Sequence, residues 1–242
     1  MARNSDLPAR AATAVAMVAV TGLALWIGGM VWVIFVLAAG VGVWFEWRTL
    51  VHLFTAPGAR RNVWSAAGAI YCGIAAAMLM VLRDHAIGGV LMVVLTVAAV
   101  DVGAYFAGRT IGGPRILPSV SPGKTWAGFV GGWLCASLVL YLLLADGYYD
   151  GPSDPLEHWW LGVLRGWKSS DSLWMLVLGF AIASIAQAGD FFESWMKRRA
   201  GVKDSGTLLP GHGGLFDRLD GLLAVLFIGG LLLPLFVVHG DI

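Results

Sequence analysis

The chain has 242 residues, 58% of them hydrophobic and 13% charged, with a mean hydropathy of +0.78 and a formal net charge of +1. A soluble domain carries about a quarter charged residues, so this chain lacks the polar side chains to cover a water-facing surface. Its long apolar runs exclude a barrel, whose segments are short and alternating, and leave an all-α, polytopic integral membrane protein.

Seven runs have roughly the length needed to cross a bilayer, at about 11–29, 30–46, 63–82, 87–107, 125–145, 172–189 and 219–238. The first reads as a retained span rather than a cleaved leader. It is long, lacks a convincing cleavage site and flows into the second run. The two abut at Gly28-Gly29, which predicts a tight helical hairpin. Cys72 and Cys135 lie inside apolar runs and read as small core residues rather than a disulfide or metal pair. No repeat or linker interrupts the chain, so 1–242 is expected to be one membrane domain.

Loop charge predicts the orientation. Of the sixteen Lys and Arg residues, all but Arg83, Arg165 and Lys168 fall on one side if the N-terminus is cytoplasmic. The loop 146–171 on the opposite side carries Asp146, Asp150, Asp154, Glu157 and Asp171. Positive-inside bias then predicts seven spans, with the C-terminus outside. The net charge itself singles out no partner, and no nucleic-acid partner is expected.

Charges at membrane depth are costly and each needs a reason. Asp101 sits inside the fourth run, with Tyr105 and Gly108 on the same helical face. It is either a functional group or a polar bond between helices. The Gly/Pro-rich segment 108–132 follows, with Arg109, Arg115, Ser121 and Lys124. Its glycines permit turns whose N–H groups face an anion, and Lys124 adds charge; an ordinary positive-inside loop is the alternative. The "SPGKT" within it is not a Walker motif, because Pro118 stands where the first glycine belongs and no soluble strand precedes it.

The sixth run leads into "AQAGDFFESWMKRRAG", residues 186–201. Here Asp190 and Glu193 are one turn apart, and Glu193 and Lys197 form an i, i+4 pair. Lys197, Arg198 and Arg199 also suit headgroup anchoring. The stretch "VKDSGTLLPGHGGLFDRLD", residues 202–220, ends with Asp217 and Asp220 at i, i+3 where the seventh helix should begin. Two acidic helix ends, carrying Asp190 on one side and Asp217 and Asp220 on the other, suit Mg²⁺, which takes a few carboxylates, waters and substrate phosphates. GHGG, residues 211–214, offers close backbone approach to a phosphate chain. Acids for a metal beside bases for phosphates, at a lipid–water boundary, fit phosphoryl or nucleotidyl transfer between a soluble nucleotide and a lipid.

These residues also carry a resemblance. Ser194-Trp-Met196-Lys197-Arg198, then four residues, Lys203-Asp204-Ser-Gly206, then Leu209-Pro210-Gly-His212-Gly213-Gly214-Leu215-Phe-Asp217-Arg218-Leu219-Asp220 resembles the signature of phosphatidate cytidylyltransferases, also called CDP-diacylglycerol synthases. "DVGAYFAGRTIG", "SPGKTWAGFVGG" and "AQAGDFFES" resemble the same family, so the similarity covers most of 101–220. It implies the reaction of CTP with phosphatidate to give CDP-diacylglycerol and pyrophosphate, in a bacterial inner membrane, by a homodimer that depends on Mg²⁺. A second cation such as K⁺ is a further expectation. By position, Asp190 and Asp217 would be metal ligands, joined by Asp220. Lys203, Asp204, His212 and Arg218 are the catalytic candidates, with His212 orienting or relaying protons. Ser121, Lys124, Lys197, Arg198, Arg109 and Asp101 are the substrate-binding candidates. The family often has Glu after the tryptophan of its Ser-Pro-x-Lys-Thr-Trp block, where this chain has Ala127, and the chain is short for the family.

Two other readings compete. A CDP-alcohol phosphotransferase also uses Asp clusters on membrane helices, but its DGxxAR pattern is absent although Asp220-Gly221 begins like it. An ion-coupled transporter would use Asp101 and Asp190 near broken helices, yet the polar groups gather in loops and at one interface rather than at the midplane.

Overall fold

The computed structural model describes residues 7–145, 172–209, 211 and 213–237. The acidic loop 146–171, Arg3 and His212 therefore lie outside the described residues. Those described form seven helices in chain order: α1 (Leu7–Ile27), α2 (Gly29–Phe54), α3 (Ala59–His85), α4 (Ile87–Thr110), α5 (Trp126–Ala145), α6 (Ser172–Ala200) and α7 (Phe216–Val237). Among the described residues the only β pairing is two isolated bridges, Arg115 with Thr125 and Leu209 with Gly213. Helices satisfy their own backbone hydrogen bonds, which is the requirement for crossing lipid.

Among the described residues five helices are long and apolar enough to cross a membrane: Gly29–Phe54, Ala59–His85, Ile87–Thr110, Trp126–Leu144 and Leu173–Ala200. The chain is an all-helical, multi-pass membrane protein. In α1 the apolar part is the shorter Ala12–Ile27. Trp26, Met30, Ile34, Leu53 and Val63 are among the large apolar side chains left on the outside, as a lipid-facing surface requires. At the junction of α1 and α2, Gly28 has a φ of 69°, and Arg83 of α3 donates to the Leu25 carbonyl at 2.8 Å.

The helices meet in two ways. On one side α1, α2, α3, α6 and α7 share a core of Trp32, Val43, Trp47, Leu50, Leu82, Met196 and Phe216. Trp47 is its hub, with the rings of Trp64, Tyr71, Phe192 and Phe216 at 5.4–6.5 Å. On the other side α4 and α5 pack through small residues, where the absence of side chains lets backbones touch. A Cβ added to Gly131 would lie 2.7 Å from the Gly103 carbonyl oxygen and would overlap the Ala107 methyl. Gly131→Ile is therefore expected to destabilise the folded chain by about 3 kcal/mol. Thermal unfolding of the detergent-solubilised protein measures this, and an unchanged midpoint would show that α4 and α5 are free to separate.

α6 continues well past its apolar run. The Glu193–Lys197 ion pair at i, i+4 supports the helix through the polar residues to Ala200, and it ends at Gly201, whose φ is 71°. The Gly201 N–H bonds the Arg198 carbonyl at 3.2 Å and the Val202 N–H bonds the Lys197 carbonyl at 3.0 Å, which satisfies the last carbonyls of the helix.

Candidate functional site

The loop 202–215 joins α6 to α7 and is held from three sides. Asp217, in the first turn of α7, reaches back into it. Its Oδ2 accepts from the Ser205 N–H at 2.8 Å, the Gly214 N–H at 2.8 Å and the Ser205 hydroxyl at 2.9 Å. Its Oδ1 takes a bond from Lys197 Nζ at 2.6 Å. The same ammonium lies 2.5 Å from Glu193 Oε2, one turn back along α6. The Lys197 side chain is 13% exposed and that of Glu193 only 1%, so a cation is shared between two carboxylates away from solvent.

The third hold comes from α2. Glu46, 5% exposed, accepts from the Phe216 N–H at 2.8 Å and the Leu215 N–H at 3.1 Å, with the Ser205 hydroxyl 3.2 Å from its Oε2. These N–H groups are the orphan donors of the α7 N-terminus, and a carboxylate there also meets the positive end of the helix dipole. Gly214 has no room for a side chain, because a Cβ would run into Ser205 Oγ and Glu46 Oε2. Here the glycine serves close packing of the loop on α2.

A second polar centre lies further along the same pair of helices. A Cβ on Gly189 would sit 2.6 Å from the Asp220 carbonyl oxygen, so α6 and α7 cross closely at this point and bring Asp190 beside Asp220. The charge of Asp190 acts on both Asp220 and Asp101 of α4, and Lys124 acts on the same two acids. Lys124 pairs directly with Asp190, and its ammonium stands 5.0 Å from the Phe191 ring. Asp220 Oδ1 accepts from the Gly221 N–H at 2.8 Å, and Ser194 Oγ is 3.4 Å from Asp190 Oδ1.

The loop bearing Lys124 is closed on itself, which places the lysine. The Ile116 N–H bonds the Lys124 carbonyl at 3.0 Å, and the Trp126 N–H bonds the Pro114 carbonyl at 3.0 Å. Thr125 caps α5 through the Gly128 N–H at 3.1 Å. Arg198 spans from α6 to the Val120 carbonyl at 3.4 Å, beside the half-buried Ser121. The 111–125 loop thus rests against the end of α6.

Of the residues expected from sequence, Lys124, Asp190, Asp220 and Asp101 come together in this second centre. Lys197 and Asp217 belong to the first, bonded to one another. Lys203, Asp204 and Arg218 are exposed, with Asp204 next to Gly213. Arg109 lies on the α4 face below Asp101, donating to the Tyr105 hydroxyl at 2.9 Å. Sequence reasoning missed Glu46 and Ser205. The signal for Glu46 was present: it is a lone carboxylate at the edge of an apolar run, the same feature that drew attention to Asp101.

Two centres on one antiparallel helix pair, one saturated with internal donors and one leaving acids beside a loop lysine, suit phosphate and metal chemistry. Among the described residues no three His, Cys, Asp or Glu side chains converge into a closed metal cage. Mg²⁺ does not need one.

Comparison with known proteins agrees with the geometry. A phosphatidate cytidylyltransferase of Brucella suis is 32% identical, over 91% of this chain and 90% of that protein. One of Rickettsia bellii is 30% identical over 86% of this chain and 84% of its own length. One of Haemophilus influenzae reaches 37% over 58% of this chain and 43% of itself. Residues 57–236, spanning α3 to α7 and hence both polar centres apart from Glu46, match the family described as the cytidylyltransferase family. The chain belongs to that family.

Proposed function

We propose that this chain transfers the cytidylyl group of CTP to phosphatidate, giving CDP-diacylglycerol and pyrophosphate in phospholipid synthesis. The observation that carries the reading is the pairing of Lys124, from the Gly/Pro-rich loop, with Asp190 next to Asp220. It joins a phosphate-binding loop to two carboxylates at one helix crossing. The relatives from Brucella suis and Rickettsia bellii supply the substrate class.

In the step itself, a phosphatidate phosphate oxygen attacks the α-phosphorus of CTP. One P–O bond forms there, and the bond to the β-phosphate oxygen breaks to release pyrophosphate. The nucleophile is already anionic at neutral pH, so positioning and charge neutralisation carry the rate rather than a strong base. Lys124 and Ser121 would face phosphate oxygens, Lys203 and Arg218 the departing pyrophosphate, and Arg198, Arg109 and Asp101 the remaining substrate groups. Asp204 and His212 complete the catalytic candidates.

Asp190 and Asp220 fit a hard divalent cation, being neighbouring carboxylates only partly exposed and with a single lysine between them and neutrality. Asp217 would join on its Oδ1 side, which Lys197 now holds. Bound Mg²⁺ would neutralise triphosphate charge. The homodimer and a second cation such as K⁺ rest on the family resemblance alone. The bacterial relatives support an inner-membrane location, and the loop charges support seven spans with the N-terminus and active site cytoplasmic. The transporter and CDP-alcohol phosphotransferase readings are not favoured by the family match.

Purified protein in detergent, given labelled CTP, phosphatidate and Mg²⁺, is expected to form lipid-linked CMP, and a chelator is expected to stop it. Absence of labelled lipid under every metal condition would sink the assignment. Undiminished turnover in excess chelator would remove Mg²⁺ from it.

A further inference from the structure

Away from both acidic centres, the end of α2 and the start of α3 frame an open pocket of about 360 Å³ lined by Trp44, Arg48, His52, Arg61, Asn62 and Ser65, with Pro57 and Gly58 at the turn. No acid lines it. Among the described residues neither Arg48 nor Arg61 enters an ion pair. Two permanent cations facing one space repel each other unless an anion comes between them.

Arg61 and Trp44 are held by bonds to backbone carbonyls, and Arg48 and His52 are exposed beside them. Arg61 donates from Nε and Nη2 to the Thr55 carbonyl at 3.1 and 2.6 Å, which uses two of its five N–H groups and fixes the plane of the rest. Arg48 lies over the Trp44 ring at 5.7 Å, with its Nε 3.5 Å from His52 Nε2. Trp44 is tied in turn to the Ser65 carbonyl at 3.0 Å. The α3 N-terminus opens at Gly58 with no side-chain cap, so its dipole adds to the positive field.

We propose that this pocket binds a phosphate-bearing anion. A planar guanidinium pair with a histidine and an uncapped helix start suits phosphate oxygens. The large apolar side chains Leu53 and Val63, 57% and 67% exposed, flank the same turn. A phosphate joined to acyl chains satisfies the cations and the apolar flank together, so an acidic phospholipid headgroup is the expected source. The site makes no use of CTP and stands or falls independently of the transfer reaction.

The test uses the full chain in neutral detergent micelles and a phosphatidylglycerol carrying a fluorescent acyl chain. Arg48→Gln is expected to weaken binding roughly fivefold, the worth of one basic residue near an anionic surface, while Arg48→Lys keeps most of it. Arg48 touches only Trp44 and His52 among the contacts described, so the melting midpoint should hold and confirms that the variant is folded. Equal affinity of wild type and Arg48→Gln, or equal affinity for a labelled phosphatidylcholine, overturns the proposal. Inorganic phosphate forms the second arm. Displacement of the lipid by it assigns the pocket to soluble phosphates, and resistance assigns it to the headgroup; either result sustains phosphate recognition.

Discussion

Asp217→Asn is expected to lower cytidylyl transfer by about 100-fold or more, the scale of losing one preorganised charged group in an active site. The reason lies in how many groups depend on this carboxylate. Its two oxygens serve the Ser205 N–H, the Gly214 N–H, the Ser205 hydroxyl and Lys197. Asn supplies one acceptor and turns an NH₂ toward groups that are themselves donors. Either the loop 202–215 loses its hold on α7, or Lys197 is left with Glu193 alone, depending on which side the remaining oxygen faces. Initial rates with labelled CTP measure the effect, alongside expression and melting of the purified variant. A variant with the wild-type rate would remove Asp217 from the site.

The second large effect is expected at Glu46, in the half of the chain that carries no signature. Glu46→Leu leaves the Leu215 and Phe216 N–H groups without their buried acceptor, while the Ser205 hydroxyl keeps Asp217 Oδ2. The cost is about 3 kcal/mol, because unsatisfied buried donors carry their full desolvation penalty. Glu46→Gln keeps one acceptor oxygen and should cost about half as much. Melting midpoints should therefore fall in the order wild type, Gln, Leu, with transfer rates following, since the signature loop is what Glu46 holds. If the Leu variant melts with wild type, α2 does not position the loop.

How much of this was legible in sequence differs by feature. The apolar runs located the seven helices of the described residues, because lipid demands a continuous apolar stretch and helices alone meet the backbone requirement. They mislocated several ends. The run 172–189 stops eleven residues before α6 does, and the run 30–46 stops eight before α2 does. An apolar run measures what lipid must solvate, whereas the helix continues as long as its hydrogen bonds are capped or its charges pair at i, i+4. The Glu193–Lys197 pair was readable for that reason, being local.

The signature showed which residue types gather near α6 and α7, and composition with loop charge led to a membrane enzyme acting on phosphates. Only the tertiary structure decided which acid meets which base. The sequence groups Asp190 with both Asp217 and Asp220 as two acidic helix ends. In the fold, Asp217 faces Lys197 and Glu193, and Asp190 lies beside Asp220 and Lys124. That register depends on Gly189 letting α6 and α7 approach at Asp220, and on Glu46 anchoring the start of α7 from α2. Both are contacts between residues far apart in the chain, and no local periodicity encodes them.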